Sequence, residues 1–230
     1  RYTCSATRQA ALPAPLMDLI DNVNRRLGDD LKSELRAERR LQIAASRFSI
    51  YAFDALREAL QECDGLDFLF THPAFLPGTA TDAATPEVRR YHLRSPPASL
   101  TTAYEIHLKN RLSQKAVARD CAAWLRKSAR MRSNATSTPM QQFGLVTDPA
   151  GGGVAYHPLQ GFTAADLGYE RGEALSNFIN RSDAADYVAS IKSVFDQVWN
   201  DPSRTVDVTD AVCDHIARVY RENPPRRIYH

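Results

Sequence analysis

An α/β domain built on a mixed, largely parallel sheet, flanked by helices and extended by a helical C-terminal part, is the fold class this sequence predicts. Three observations lead there. A strand-like run (Leu41–Ile50), an amphipathic helical stretch (Tyr51–Cys63) and a second strand-like run (Leu66–His72) follow one another directly. That order is a βαβ unit, which crosses over right-handed onto a parallel sheet. The last third carries two further helical patterns. The 230 residues are 43% hydrophobic and 24% charged, enough apolar surface for one buried core and little more.

Each element rests on its own spacing. Residues 1–13 show no period and read as a flexible arm. From Pro15 to about Arg40 the residues Leu16, Leu19, Ile20, Val23, Leu27, Leu31 and Leu35 recur at helical spacing, with Gly28 as the expected break. In Tyr51–Cys63, Phe53, Leu56 and Leu60 share a face, and Gly65 stands where a helix C-cap glycine belongs. Pro73–Ser99 is rich in Pro, Thr and Ala and reads as a long surface loop, with an extended piece at Val88–Leu93. Ser113 caps an expected helix to Arg130, its apolar face made by Val117, Cys121, Trp124 and Leu125. Phe143–Thr147 and Val154–His157 flank the turn-rich Asp148–Gly153 and read as a hairpin, with another short strand at Gly161–Ala165. Ser182 opens a helix to Trp199, with Asp183 and Asp186 in the first turn, where the helix dipole favours anions. Asp201-Pro202 breaks that helix, and a final one starts at Asp207 or Thr209 and ends at Asn223-Pro224. The expected organisation is one domain over 14–230, its C-terminal helical part at about 182–223.

Bulk properties exclude some classes. Cys4, Cys63, Cys121 and Cys213 are far apart in sequence, with no CxxC pattern, so reduced thiols in a cytoplasmic protein are expected rather than a zinc site. No apolar run approaches the roughly 20 residues that cross a bilayer. No GxSxG elbow or Walker loop occurs, and no cofactor or metal is expected. Glu62, Asp64 and Asp67 flank a strand start, as carboxylates do in many nucleases, but no Glu-x-Lys follows, so solvated turn residues are the expectation.

The stretch Phe162–Asn180, FTAADLGYERGEALSNFIN, follows the Val154–His157 run. With its "FT…DLG" and "SNF" pieces it resembles the last third of a phospholipase D-like nuclease domain. The version it is most similar to stands at the N-terminus of large bacterial DEAD/DEAH-type helicases of restriction and phage-defence systems. The resemblance implies a His that attacks phosphorus, a Lys two residues on that faces the same way and stabilises the phosphate oxygens, and a second His that protonates the leaving group. Here the position of that His-x-Lys is held by Met140-Gln141-Gln142-Phe143, and Gly161-Phe162-Thr163 stands where Ser-Asn-Phe-Thr is expected. The attacking imidazole is therefore missing from the matching segment. The resemblance then implies a binding module without chemistry of its own. Its expected partners are nucleic acid, DNA ahead of RNA, and the motor domains of the same polypeptide. The absent initial Met and the stop soon after Pro224-Pro225 read as a segment of that longer, ATP-dependent protein.

The rival from the enzyme class is an active phosphodiesterase working through a phospho-histidine, with a homodimer as one way to complete the site. Its weak catalytic candidates are His107 and Lys109, a literal His-x-Lys with Gln114 where the Asp belongs, and His72 at a strand end. His157 and His215 read as packing residues. A third reading is a pure protein-interaction domain.

Charge supplies the binding argument. Between Glu105 and Arg132, the cations Lys109, Arg111, Lys115, Arg119, Arg126, Lys127, Arg130 and Arg132 face only Glu105 and Asp120, although the whole chain carries a net charge of +2. Asp183–Asp214 is the acidic counterpart, with seven Asp against Lys192 and Arg204. A basic helix is the usual footprint of phosphate-backbone contact. The alternative is a face that docks the acidic C-terminal helices. Tyr104, Trp124 and Phe143 bracket the basic region as candidates for base stacking, with Trp124 also on the apolar face.

Overall fold

The computed structural model describes residues 18–76, 100–136, 138–171 and 177–221, with backbone alone for 100–113 and 219–221. In chain order the strands are β1 (Asp18–Ile20), β2 (Arg40–Ala45), β3 (Leu66–Phe70), β4 (Ala129–Asn134), β5 (Phe143–Thr147), β6 (Gly153–His157), β7 (Ile179–Ser182) and β8 (Thr205–Asp207). The helices are α1 (Leu27–Glu34), α2 (Ile50–Glu62), α3 (Leu100–Ser128), α4 (Ala185–Trp199) and α5 (Thr209–Arg221).

All eight strands form one sheet in the order β1-β7-β6-β5-β2-β3-β4-β8. The α/β class holds, but the sheet is not largely parallel. Only β2–β3 and β3–β4 run parallel, and the other five pairings are antiparallel. The reason lies in the connections. A parallel pair needs a crossover long enough to return the chain, which α2 and the segment ending in α3 supply. Beyond β4, β5–β6 is a hairpin, the longer β6–β7 connection reverses the chain, and α4 carries it from β7 to β8 at the far edge, so strands add antiparallel on both sides of the parallel trio.

The strand alternation splits the core in two. Leu41, Ile43, Phe68, Phe70, Met131, Val146, Val154 and Tyr156 point to the face covered by α1, α2, α3 and α5. Ala44, Leu69, Phe143, Leu145 and Ala155 point to the opposite face, where Val188, Phe195 and Trp199 of α4 pack on them. Helices therefore cover both faces, as expected. Phe195 and Trp199 stack at 5.3 Å, and Phe143 meets Phe195 edge-on at 6.3 Å.

Several elements depart from the sequence reading. The expected helix over Pro15–Arg40 shortens to α1, and its first apolar residues form edge strand β1 instead. Gly28 does not break this helix; it sits inside it, because a Cβ there would lie 2.3 Å from the Tyr169 ring. α3 begins at Leu100 rather than Ser113, and the polar Ala129–Asn134 pairs as β4. β1, β7 and β8, of three or four residues each, had no pattern long enough to read. Gly161–Ala165 makes only one bridge, Phe48 to Phe162. Ala184, not Ser182, is the N-cap of α4, while Asp186 does stand in its first turn. The arm 1–13 and the Val88–Leu93 piece lie outside the described residues.

Two buried ion networks tie helices and strands together. Asp67, 2% exposed, receives Nε and Nη2 of Arg40 and Nε and Nη2 of Arg130, all four contacts at 2.8 Å. Burial alone raises the Asp67 carboxyl pKa; the Arg40 and Arg130 hydrogen bonds overcome it and hold the pKa below the ordinary carboxylate value. On the other flank, Asp30 of α1 accepts from Tyr156 Oη of β6 at 2.8 Å and from Arg181 Nε of β7 at 2.9 Å. Arg181 also reaches Glu34 at 2.6 Å, and Arg39 closes the network on Glu34. Burial again opposes ionisation of Asp30, and Arg25, Tyr156 and Arg181 reverse it.

Both carboxyls are held low in the folded chain, so their contribution is present above the unfolded value near 3.9 and is lost as pH falls below it. Asp67→Asn leaves two guanidiniums facing a neutral amide and is expected to cost about 3 kcal/mol in urea unfolding at pH 7. It should also flatten the loss of stability below about pH 4. An unchanged denaturation midpoint at neutral pH contradicts the lock.

Candidate functional site

In an open α/β sheet, ligand-binding groups gather beyond the carboxyl ends of the parallel strands. In this chain that edge is made by Ser46–Phe48 after β2, Thr71–His72 at the end of β3, and Asn134 at the end of β4. The antiparallel β5 begins beside β2 at the same edge, so Gln142 enters it.

Most polar groups there hold the scaffold together. Gln142 Oε1 accepts from the Ser46 amide at 2.9 Å, and its carbonyl accepts from the Leu159 amide at 2.9 Å. Asn134 Nδ2 donates to the Thr71 carbonyl at 3.0 Å and to the Thr138 carbonyl at 2.8 Å. Ser133 Oγ accepts from the Ala74 amide at 2.8 Å. Arg47 and His72 differ. Arg47 is 59% exposed, and its closest described acid, Asp166, is 4.0 Å away. His72 is exposed, with Nδ1 3.2 Å from Thr71 Oγ1.

The positions where a His-x-Lys belongs do not form a reactive pair. Met140, partly buried, packs against the core layer under α4, and Gln142, with no charge, has its Oε1 on the Ser46 amide.

The FT…DLG stretch has a structural account of its own. Thr163 Oγ1 donates to Asp166 Oδ2 at 2.7 Å, the Thr163 amide reaches the same oxygen at 3.2 Å, and the Asp166 amide donates back to Thr163 Oγ1 at 3.2 Å. This reciprocal arrangement is a capping box on one helical turn. Gly168, at φ +82°, ends the turn in the left-handed region. The turn is tied outward on two sides. Asn22 Nδ2 donates to the Asp166 carbonyl at 2.8 Å and the Gly28 amide to the Leu167 carbonyl at 3.0 Å. On the other side, the Phe162 amide donates to the Arg47 carbonyl and the Ser49 amide to the Phe162 carbonyl. The motif thus clamps α1 and the β2–α2 junction to one loop.

His72 and His157 do not converge. His72 follows β3 and His157 ends β6, with β2 and β5 between them, about 14 Å at ordinary strand spacing. The backbone of His107, Lys109 and Arg111 lies within α3, and their side chains are outside the described residues. His215 is half-buried on α5, its ring 5.4 Å from Phe75. Burial pushes its pKa below the ordinary value, with Arg218 adding to that. His92 and His230 are outside the described residues.

The basic residues divide between two surfaces. Lys115, Arg119, Arg126 and Lys127 belong to α3, whose Val117, Ala118, Cys121, Ala122 and Leu125 are buried against the core. Arg130 and Arg132 alternate with the buried Ala129 and Met131, so they leave the sheet on the α4 side. There both guanidiniums lie 5.7 Å from the Trp199 ring centre. Part of the charge is spent internally. Arg126 pairs with Asp214 of α5 at 2.7 Å, Arg130 with Asp67, and Arg132 donates to Oγ1 and the carbonyl of Thr205 at 2.8 Å each. Arg119 is 79% exposed and lies 3.3 Å from its neighbour Asp120, which Arg57 also engages. Lys115 and Lys127 make no ion pair with a described side chain. Trp124 packs against Phe53 at 5.4 Å, as a core residue does.

Sequence reasoning passed over two residues. Asp67 was read as a solvated turn acid and is instead the buried centre of the Arg40–Arg130 fork; the signal was a lone acid inside the apolar run LDFLF with an Arg beginning the preceding strand. Arg47 gave no signal beyond its place just past an apolar strand. Cys63, Cys121 and Cys213 are free thiols, and no group of metal-binding residues occurs among the described residues. No helix among the described residues is long and apolar enough to cross a membrane.

No protein-family model matches the sequence, and no curated protein does. Among solved structures, the chain is similar to polyphosphate kinase from Porphyromonas gingivalis at 12% identity and a TM-score of 0.40, over 83% of this chain and 28% of that one. It is also similar to TrmBL2, an archaeal chromatin protein, at 8% identity and a TM-score of 0.34, over 84% of this chain and 55% of that one. The chain thus spans well under two thirds of either structure, and overlaps this loose carry no functional argument.

The capping box has a direct check. Thr163→Ala is expected to lower stability by about 1 kcal/mol, the usual cost of losing such a cap. Thr163→Ser, which keeps the hydroxyl, should restore most of it. Equal midpoints for the two variants in thermal or urea unfolding would refute the assignment.

Proposed function

We propose that this chain is a non-catalytic, phospholipase D-like module that binds nucleic acid along α3. The observation that carries the reading is the group of α3 cations left without full internal partners: Lys115, Arg119 and Lys127. Lys115 and Arg119 lie four residues apart on one side of the helix, and Lys127 lies about two turns beyond Arg119. A row of ammonium and guanidinium groups over such a length follows a phosphate backbone and releases its counterions, a gain independent of sequence. DNA ranks ahead of RNA only through the resemblance. Absence of chemistry is supported by Met140 and Gln142 at the reactive positions, the latter bonded to the Ser46 amide. Within the same proposal, the covalent neighbours are the motor domains of a restriction or phage-defence helicase, and ATP hydrolysis belongs to them.

Docking to such neighbours is favoured by one surface. Leu19 of β1 and Phe178, just before β7, are 55% and 58% exposed. The register sets Leu19 opposite Asn180, so both apolar side chains belong to the same face of adjacent strands.

Two measurements test the reading. Fluorescence anisotropy on a labelled 20-base-pair duplex across a salt series should show the Lys115→Ala/Arg119→Ala/Lys127→Ala variant binding about tenfold more weakly, its log–log salt slope reduced by roughly 2–3. Arg126 and Arg130 are left intact because their loss would remove internal ion pairs. Identical slopes for both proteins overturn the binding reading. Incubation with plasmid and single-stranded DNA in chelator should leave both uncut. Cleavage by the wild type that disappears in His107→Ala would return the enzymatic rival.

A further inference from the structure

α4 carries more apolar side chain than the core beneath it uses. Val188, Phe195 and Trp199 are buried on the sheet. A second stripe, Tyr187, Ile191, Val194 and Val198, runs along a flank of the same helix. Val194 is 48% exposed, and the other three are only partly buried. Their steps of four, three and four residues are those at which one helix packs on another. From Tyr187 to Val198 the stripe is about 16 Å long.

The face around it is open. Among the described residues α4 is the one helix on this side of the sheet, and it packs chiefly on β5 and β6. Asn180 pairs with both Leu19 and His157, and His157 shares a face with Ala155, which lies under α4. Leu19, Phe178 and Val194, three of the five exposed large apolar side chains among the described residues, thus stand on the α4 side. Such a concentration marks an interaction surface.

Charge decides the partner. Lys192 is the one cation of α4, and Asp196 holds it at 2.5 Å. Arg204, just past the helix, is held by Asp201 at 3.0 Å. Asp183 is 72% exposed, with a single contact to Arg181 at 3.4 Å, and Asp186 in the first turn makes no ion pair with a described side chain. An acidic partner finds no free cation along this helix, whereas a basic one meets two carboxylates at its start. A second copy would bring the same acids and the same tied lysine.

We infer that the Tyr187–Val198 stripe seats a basic amphipathic helix of a partner domain, its apolar side on Ile191 and Val194 and its cations toward Asp183 and Asp186. This rests on the docking reading above and names the chemistry of the partner.

The probe is a fluorescein-labelled three-heptad peptide of leucine and lysine, with leucine at the a and d positions, and a scrambled peptide of the same composition is the control. Anisotropy at physiological salt should show saturable binding of the first and none of the second. Val194→Glu is expected to weaken binding about tenfold, as loss of a central apolar contact does. Asp183→Asn/Asp186→Asn should weaken it about threefold, and less at high salt. All three side chains are exposed, and circular dichroism should show both variants folded as the wild type is. Phe178→Glu, which leaves α4 untouched, should bind as the wild type does. Loss in Phe178→Glu with none in Val194→Glu moves the seat to the β1–β7 pair, which overturns this inference and leaves the docking reading standing. Absence of saturable binding overturns it as well. Equal binding of both peptides by every variant overturns both readings. Sedimentation velocity should find the chain alone monomeric; a dimer that Val194→Glu dissociates gives the stripe to a second copy and overturns the inference.

Discussion

Asp67 is the residue on which the architecture turns. A carboxylate at 2% exposure is costly to bury, and here it is matched by two guanidiniums from the strands on either side. The match works in one register only. Sliding β3 by a single residue would send Asp67 into the apolar layer under α2 and α3 and leave Arg40 and Arg130 without it. The fork therefore fixes how the parallel trio aligns. That alignment in turn decides which residues stand at the opposite end of the same strands, where Arg47, His72 and Asn134 emerge.

The FT…DLG loop does the equivalent task for the antiparallel half. Its capped turn bonds to Asn22 and Gly28 on one side and to Arg47 and Ser49 on the other. It joins elements more than a hundred residues apart in sequence. The network of Asp30, Glu34, Tyr156 and Arg181 adds a second tie from α1 to β6 and β7. A motif that reads as a nuclease signature thus has sufficient physical reason to exist as a scaffold device, with or without chemistry beside it.

The basic segment shows how far a linear charge count can travel from a surface. Arg126 meets the acidic C-terminal part through Asp214, so the polarised halves partly neutralise one another. Arg130 and Arg132 pass to the other side of the sheet because β4 starts where α3 stops, and strand alternation takes over from helical period. Among the described side chains of α3, Lys115, Arg119 and Lys127 remain without a full internal partner.

The sequence alone determined the α/β class, the β2–α2–β3 unit, the β5–β6 hairpin and the two late helices, because each is a local pattern of period two or 3.6 with turn residues at its ends. It also showed that Met140-Gln141-Gln142-Phe143 holds neither His nor Lys, since residue identity needs no fold to be read. Tertiary structure decided the rest. Ile179–Ser182 carries a polar pattern and becomes a strand only because β1 and β6 lie on either side of it. The balance of parallel and antiparallel pairing, the burial of Asp67 and the parting of Arg130 from Arg126 all depend on which distant segments become neighbours, and no local period encodes that.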